Sequence, residues 1–189
     1  MGRGKANKII RGSLSVSGIN SIIGQLQSYR HSLERYSAKF AKRLAEEGFD
    51  VAQIYLAEAS PTRDDDGSAD FDKPVGTLDI TTDANGWVSS CSLHFSGMQV
   101  LFVEFGAGFY FNTDVNVANW AEQFGMGVGT YPNQTHANDE SGWSYYGNDD
   151  TWHHTHGIKG TAPIFHASQA LRQKDLVLKV AREVFGSVI

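Results

Sequence analysis

Near the middle of the chain, Leu101-Phe102-Val103-Glu104-Phe105-Gly106-Ala107-Gly108 leaves the backbone few choices. An apolar run carries a single acid and then breaks on two glycines one residue apart. Continuous apolar β-formers suit a strand covered on both faces, so residues 100–105 are expected to form a buried strand. Glu104 stands near its end, where a carboxylate is either paired or turned to solvent. Gly106 and Gly108 admit positive φ and let the chain turn sharply out of the sheet. An acid placed beside such a turn is expected to serve structure, accepting from backbone N–H groups or pairing with an arginine.

The flanking sequence supplies the rest of an α+β fold. Residues 19–48 read as a long amphipathic helix. Ile22, Leu26, Leu33, Tyr36, Phe40 and Leu44 recur at three-, four- or seven-residue steps and line one face. Arg30, Glu34, Lys39, Lys42, Arg43, Glu46 and Glu47 occupy the remainder. Ser17 or Asn20 can cap its start, and Gly48 can end it in the left-handed conformation. Asp50 then caps a second helix, which stops by Ser60 because Pro61 follows. The apolar face is expected to pack on a sheet rather than to drive a coiled coil.

Residues 77–81 alternate, with Leu78 and Ile80 sharing a face. Asp83-Ala84-Asn85-Gly86 is a strong hairpin turn, since Asn-Gly supplies the positive φ values required. Residues 87–95 alternate again, with Trp87, Cys91, Leu93 and Phe95 on one side. With the buried strand as a third member, the sequence predicts an antiparallel meander under the long helix. A closing helix is expected over 167–185, ended by Gly186. Residues 1–17 form a basic arm: Arg3, Lys5, Lys8 and Arg11 occur without an acid. Such an arm is either a solvated terminus or docks on an acidic neighbour or nucleic acid. Residues 18–189 are then one domain with a long insert at 109–161.

That insert holds Trp120, Phe124, Tyr131, Trp143, Tyr145, Tyr146 and Trp152 among many Gly, Asn and Asp residues. A long segment of this kind inside a compact domain signals a functional loop. Residues 119–124 are expected to make a short helical turn, and 143–146 to pair with 152–156 as a hairpin. Aromatics at this density suggest a surface buried against neighbouring subunits, or a small core folded within the loop. Removal of residues 113–150 is expected to spare the fold and abolish assembly.

Composition narrows the chemistry. The chain has 189 residues, 41% of them hydrophobic, and a formal net charge of −5, so it carries no global nucleic-acid footprint. A single cysteine, Cys91, leaves no internal disulfide framework and suits a reducing cytoplasm. No apolar run reaches membrane-spanning length, and the N-terminus lacks the apolar region of a signal peptide. The Asp64-Asp65-Asp66 run fails as an EF-hand loop, because its twelfth position is Val75 instead of glutamate. His153, His154 and His156 cluster near His136 and His166 and raise a metal-dependent enzyme as the alternative reading. They lack the helical i, i+4 spacing and the intervening glutamate of a zinc protease, so no metal or other cofactor is expected. On a strand His154 and His156 share a face and His153 points away. Cys91 and His94 fall on opposite faces and cannot form a dyad. No nucleophile elbow, phosphate loop or dinucleotide fingerprint is present. A third reading is a binding module built on the aromatic loop.

Three phrases of the sequence carry a resemblance. Val103-Glu104-Phe105-Gly106-Ala107-Gly108 resembles the "vEFGtG" signature of the tail-completion and head–tail joining proteins of the neck of long-tailed phages. Ala162-Pro163-Ile164-Phe165-His166-Ala167 is similar to the "P-f-x-x-A" phrase that opens the last helix in that family. Gly142-Trp143-Ser144-Tyr145 lies between them, in an insert longer and richer in histidine than the family pattern. The resemblance implies a structural virion protein, without reaction or cofactor, assembled in the host bacterial cytoplasm. Its partners would be identical subunits in a ring, the adjacent connector or portal-side ring, and a tail terminator or tail tube protein, with DNA passing nearby in the channel. A ring demands heterologous interfaces that close.

Overall fold

A computed structural model of the chain describes residues 10–59, 74–83, 86–97, 99–127, 139–146 and 150–186. Within them the fold is α+β. Helix α1 runs Val16–Glu58, strands β1 and β2 cover Val75–Thr82 and Val88–Ser96, and helix α2 spans Val100–Phe105. A 3₁₀ turn at Gly108–Tyr110 leads to α3 (Val115–Ala121) and a second 3₁₀ turn at Glu122–Phe124. Strands β3 (Trp143–Tyr146) and β4 (Trp152–Thr155) precede α4 (Pro163–Arg172) and α5 (Lys174–Phe185). The sheets are two-stranded hairpins, β1–β2 and β3–β4.

Three expectations are corrected. Residues 100–105 form a helix, so the meander loses its third strand. The apolar run is the same either way, and tertiary partners for its last carbonyls decide for the helix, as set out below. The long helix does not stop at Gly48 or restart at Asp50: α1 is one helix of 43 residues. A mid-helix glycine costs only about 1 kcal/mol relative to alanine, which packing on either side readily offsets. The closing helix begins earlier than expected, at Pro163, and is interrupted at Gln173, whose extended backbone (φ −71°, ψ 121°) separates α4 from α5. The acidic run at 64–66, most of the basic arm, Tyr131 and His136 lie outside the described residues.

The chain divides into two compact units. The first draws on Met1–Glu47, Leu78–Ser92 and Leu171–Ile189. Here α5 packs on α1 through Phe185, whose ring lies 6.3 Å from Tyr36 and 5.8 Å from Phe40. Arg43 joins Glu47, Glu46 and Glu183, and Lys179 reaches Glu47 at 3.2 Å. The β1–β2 hairpin stands against a different face of α1, where His31 meets Trp87 edge-on at 5.8 Å. The apolar face of α1 is therefore not laid on the sheet as expected: Leu26 and Leu33 remain 50% and 49% exposed. Burial pushes the Cys91 thiol above its ordinary value, the opposite of what a nucleophile needs.

The second unit comprises Gly48–Thr77 and Leu93–Ala170. It holds two apolar clusters. Leu56, Ala59 and Val103 bury together with Phe95 and Ile158 against them. Phe105, Val117, Ala121, Met126 and Ala162 form the other, flanked by Phe102, Phe111, Trp120 and Phe165. Both clusters are built around α2, from the neighbouring residues Val103 and Phe105.

Candidate functional site: the Glu104 cap and the aromatic hairpin

A helix begins with backbone N–H groups that have no partner within it. At α4 each is accounted for. The Ala162 N–H donates to the Val103 carbonyl at 3.3 Å. Pro163, at the first helical position, has no N–H to satisfy. The Ile164 N–H donates to Glu104 Oε2 at 2.9 Å and the Phe165 N–H to Oε1 at 2.8 Å. His166 N–H then opens the helical ladder on the Ala162 carbonyl at 3.0 Å. Glu104, only 2% exposed, thus replaces the side-chain cap that Ala162 lacks. Burial pushes its carboxyl up to about 7, against the two N–H donors, which favour the ionised form. The positive end of the helix dipole favours a negative charge in the same place.

The glycines beside Glu104 hold three stretches of backbone close together. Gly106 sits at φ 82°, and a Cβ there would come within 2.1 Å of the Tyr110 carbonyl oxygen. A Cβ at Gly160 would meet the Phe105 carbonyl carbon at 2.5 Å, and one at Gly157 (φ 103°) the Ala107 oxygen at 2.2 Å. Gly108, at φ 60°, starts the 3₁₀ turn. Hydrogen bonds run through these approaches: Ala107 N–H to Ile158 O, Asn112 N–H to Phe105 O and Thr161 N–H to Val103 O, each 2.8 Å. The phrases 103–108 and 162–167, 60 residues apart in sequence, are one piece of structure.

The aromatics of the insert divide between core and surface. Trp120 is half-buried and meets Phe105 edge-on at 5.5 Å, with Phe124 and Phe165 at 5.8 and 6.4 Å. Phe124 is 49% exposed on the rim of that cluster. Trp143 and Tyr145 are half-buried, and Tyr145 stacks on the ring of buried His153 at 5.3 Å. Tyr146 and Trp152 face each other across the β3–β4 register, 5.6 Å apart, and are 57% and 71% exposed. Among the six described members of the seven aromatics, the expected surface role therefore falls on this exposed pair, with Phe124 half in and half out. Because Val117, Ala121 and Met126 bury against Phe105, removing residues 113–150 would take away part of the core, so the expectation that the fold survives is withdrawn.

The described histidines do not converge. His153 is buried with Nε2 2.9 Å from Thr151 Oγ1, while the rings of His154 and His156 lie 5.1 Å apart on the other face. His166 stacks on Tyr55 at 3.8 Å. Among the described residues no three His, Cys, Asp or Glu side chains are placed to hold a metal ion. The residues that sequence reasoning missed are the acceptors and donors of the cap, Val103, Ile164 and Phe165. The signal for them was Pro163, a residue favoured at the first position of a helix. No protein-family model matches the sequence, and no match is found among curated proteins or solved structures.

Proposed function

We propose that this chain is a structural assembly protein of a long-tailed phage neck, forming a ring of identical subunits that joins the portal–connector stack to the tail, with no reaction and no cofactor. The observation that carries this reading is the Glu104 cap. Two of the three phrases on which the family resemblance rests meet through a bidentate carboxylate and a set of backbone approaches that only glycine permits. A resemblance made of short, distant phrases gains weight when two of them serve one structural device. The β3–β4 hairpin adds a contact surface, since Tyr146 and Trp152 present apolar rings with polar edges, the residue types enriched where one protein surface buries another. Electron microscopy of the purified chain is the test. Closed rings are expected from the wild type. The Tyr146→Ala/Trp152→Ala variant is expected to keep its circular dichroism and to lose ring closure or docking onto the adjoining neck layer. A chain that forms no ring, alone or with neck components of its own particle, overturns the reading.

A further inference from the structure

Helix α1 carries a second surface, independent of the insert. Val16, Ile19, Ile23, Leu26, Arg30 and Leu33 follow one another at alternating three- and four-residue steps, the spacing of a coiled-coil seam. The seam continues into Phe40, where α5 covers it with Phe185. Ahead of that point it is bare: Val16 is 78% exposed, Ile19 and Ile23 46%, Leu26 50% and Leu33 49%, with Tyr29 alongside at 50% and Leu14 at 97%. The β1–β2 hairpin stands beside it: Trp87 meets α1 at His31, and the open groove between them is lined by Gly24, Gln27, Ser28, Glu34 and, at its border with the seam, Arg30 and Ser37. No charged residue occurs between Arg11 and Arg30.

We infer that this half of α1 is a self-association surface, on which a second copy of the chain lays the same helix antiparallel. Area and charge both select that occupant. At ~150–200 Å² for a large side chain, the bare residues of α1 offer on the order of 550 Å², and Leu14, just ahead of the helix, brings this to about 700 Å². Monomers rarely leave so much contiguous apolar surface in water, and a stable pair needs about 800 Å² from each partner. A parallel pair would set Arg30 against Arg30 in the seam, a like-charge contact in which each guanidinium has only the Glu34 of its own helix to offset it. An antiparallel pair centred between Ile23 and Leu26 sets Arg30 beside Ile19 and Leu33 beside Val16 of the other copy. The charged segment from Arg30 to Arg35 then overhangs the uncharged start of the partner helix, where Arg30 keeps its 2.8 Å ion pair with Glu34. Such a pair is isologous and self-limiting, so it adds a two-fold contact beyond those that close a ring.

Sedimentation of the full chain over a dilution series, with Ile23→Glu/Leu26→Glu as the variant, tests this. Both positions are surface positions, so circular dichroism should not change, and melting should fall only by what the lost subunit contact contributes. The smallest species of the wild type should be twice the 20.7 kDa chain, and that of the variant the single chain, with self-association weakened by at least about a hundredfold. Spin labels on Arg35→Cys in a Cys91→Ala background should lie about 30 Å apart in the dimer, from the 1.5 Å rise per residue, against less than ~20 Å in a parallel pair. A wild type that dilutes directly to monomer, a variant that still dimerises, or a short label distance each overturns the inference. Capture of a different protein by a monomeric wild type does so as well. A dimer that never builds a ring leaves this inference standing and counts against the ring; a ring that dissociates straight to monomers does the reverse.

Discussion

Glu104 concentrates the chemistry of this fold in one side chain. Its two oxygens accept from the Ile164 and Phe165 N–H groups, and its burial holds the carboxyl at about 7, well above the 4.5 of an exposed glutamate. Between those two values the folded chain binds a proton that the unfolded chain has released. Stability from this group is therefore fully present below the unfolded value, and is lost as pH rises through about 7. The wild type is expected to lose on the order of 3 kcal/mol through this group between pH 4.5 and pH 8. Glu104→Gln should flatten that slope. It should also lower stability at pH 5, because an amide offers one acceptor to two N–H groups and an unsatisfied buried donor costs about 1–3 kcal/mol. Urea titrations of both proteins at several pH values read this directly; parallel pH profiles would place the titration elsewhere.

Among the elements, α2 shows where the sequence ceased to be legible. Alternating strands, the β1–β2 and β3–β4 pairings and the amphipathic course of α1 were readable because each has a period of its own. Val100–Phe105 has none, and six apolar residues fit a buried strand or a buried helix equally well. The decision is made by distant backbone. A helix this short is not stable alone, and its last carbonyls need partners. Val103 O receives the Thr161 and Ala162 N–H groups and Phe105 O receives that of Asn112, none of them visible from within the run. The break at Gln173 was equally hidden, since neither proline nor glycine marks it. In the insert, sequence identified aromatic density but not its division. Trp120→Ala should cost about 3 kcal/mol, as expected for a large side chain lost from a packed cluster, while Trp152→Ala should stay within about 0.5 kcal/mol. Urea melts of the monomer check the contrast; equal effects would mean that the two rings share one environment.

Across the whole molecule, the two units are threaded through each other in sequence. The chain crosses between them at Glu47–Gly48, Thr77–Leu78, Ser92–Leu93 and Ala170–Leu171. Every segment of the second unit lies between Gly48 and Ala170, whereas the first needs both the start of α1 and all of α5. A chain ended at Arg172 should therefore retain the Glu104 cap and the aromatic hairpin and lose protection along the first half of α1, which hydrogen exchange would map. Uniform loss of protection would show that the second unit cannot stand without α5. The same threading sets an order of events at the ribosome. The residues of the capped core have all been made by the time Ala170 is added, but Tyr36 and Phe40 wait for Phe185 while that whole core is made. During that interval the apolar seam of α1 is uncovered along its full length, so a nascent chain meets its neighbours on a polysome with a longer adhesive helix than the finished protein ever shows.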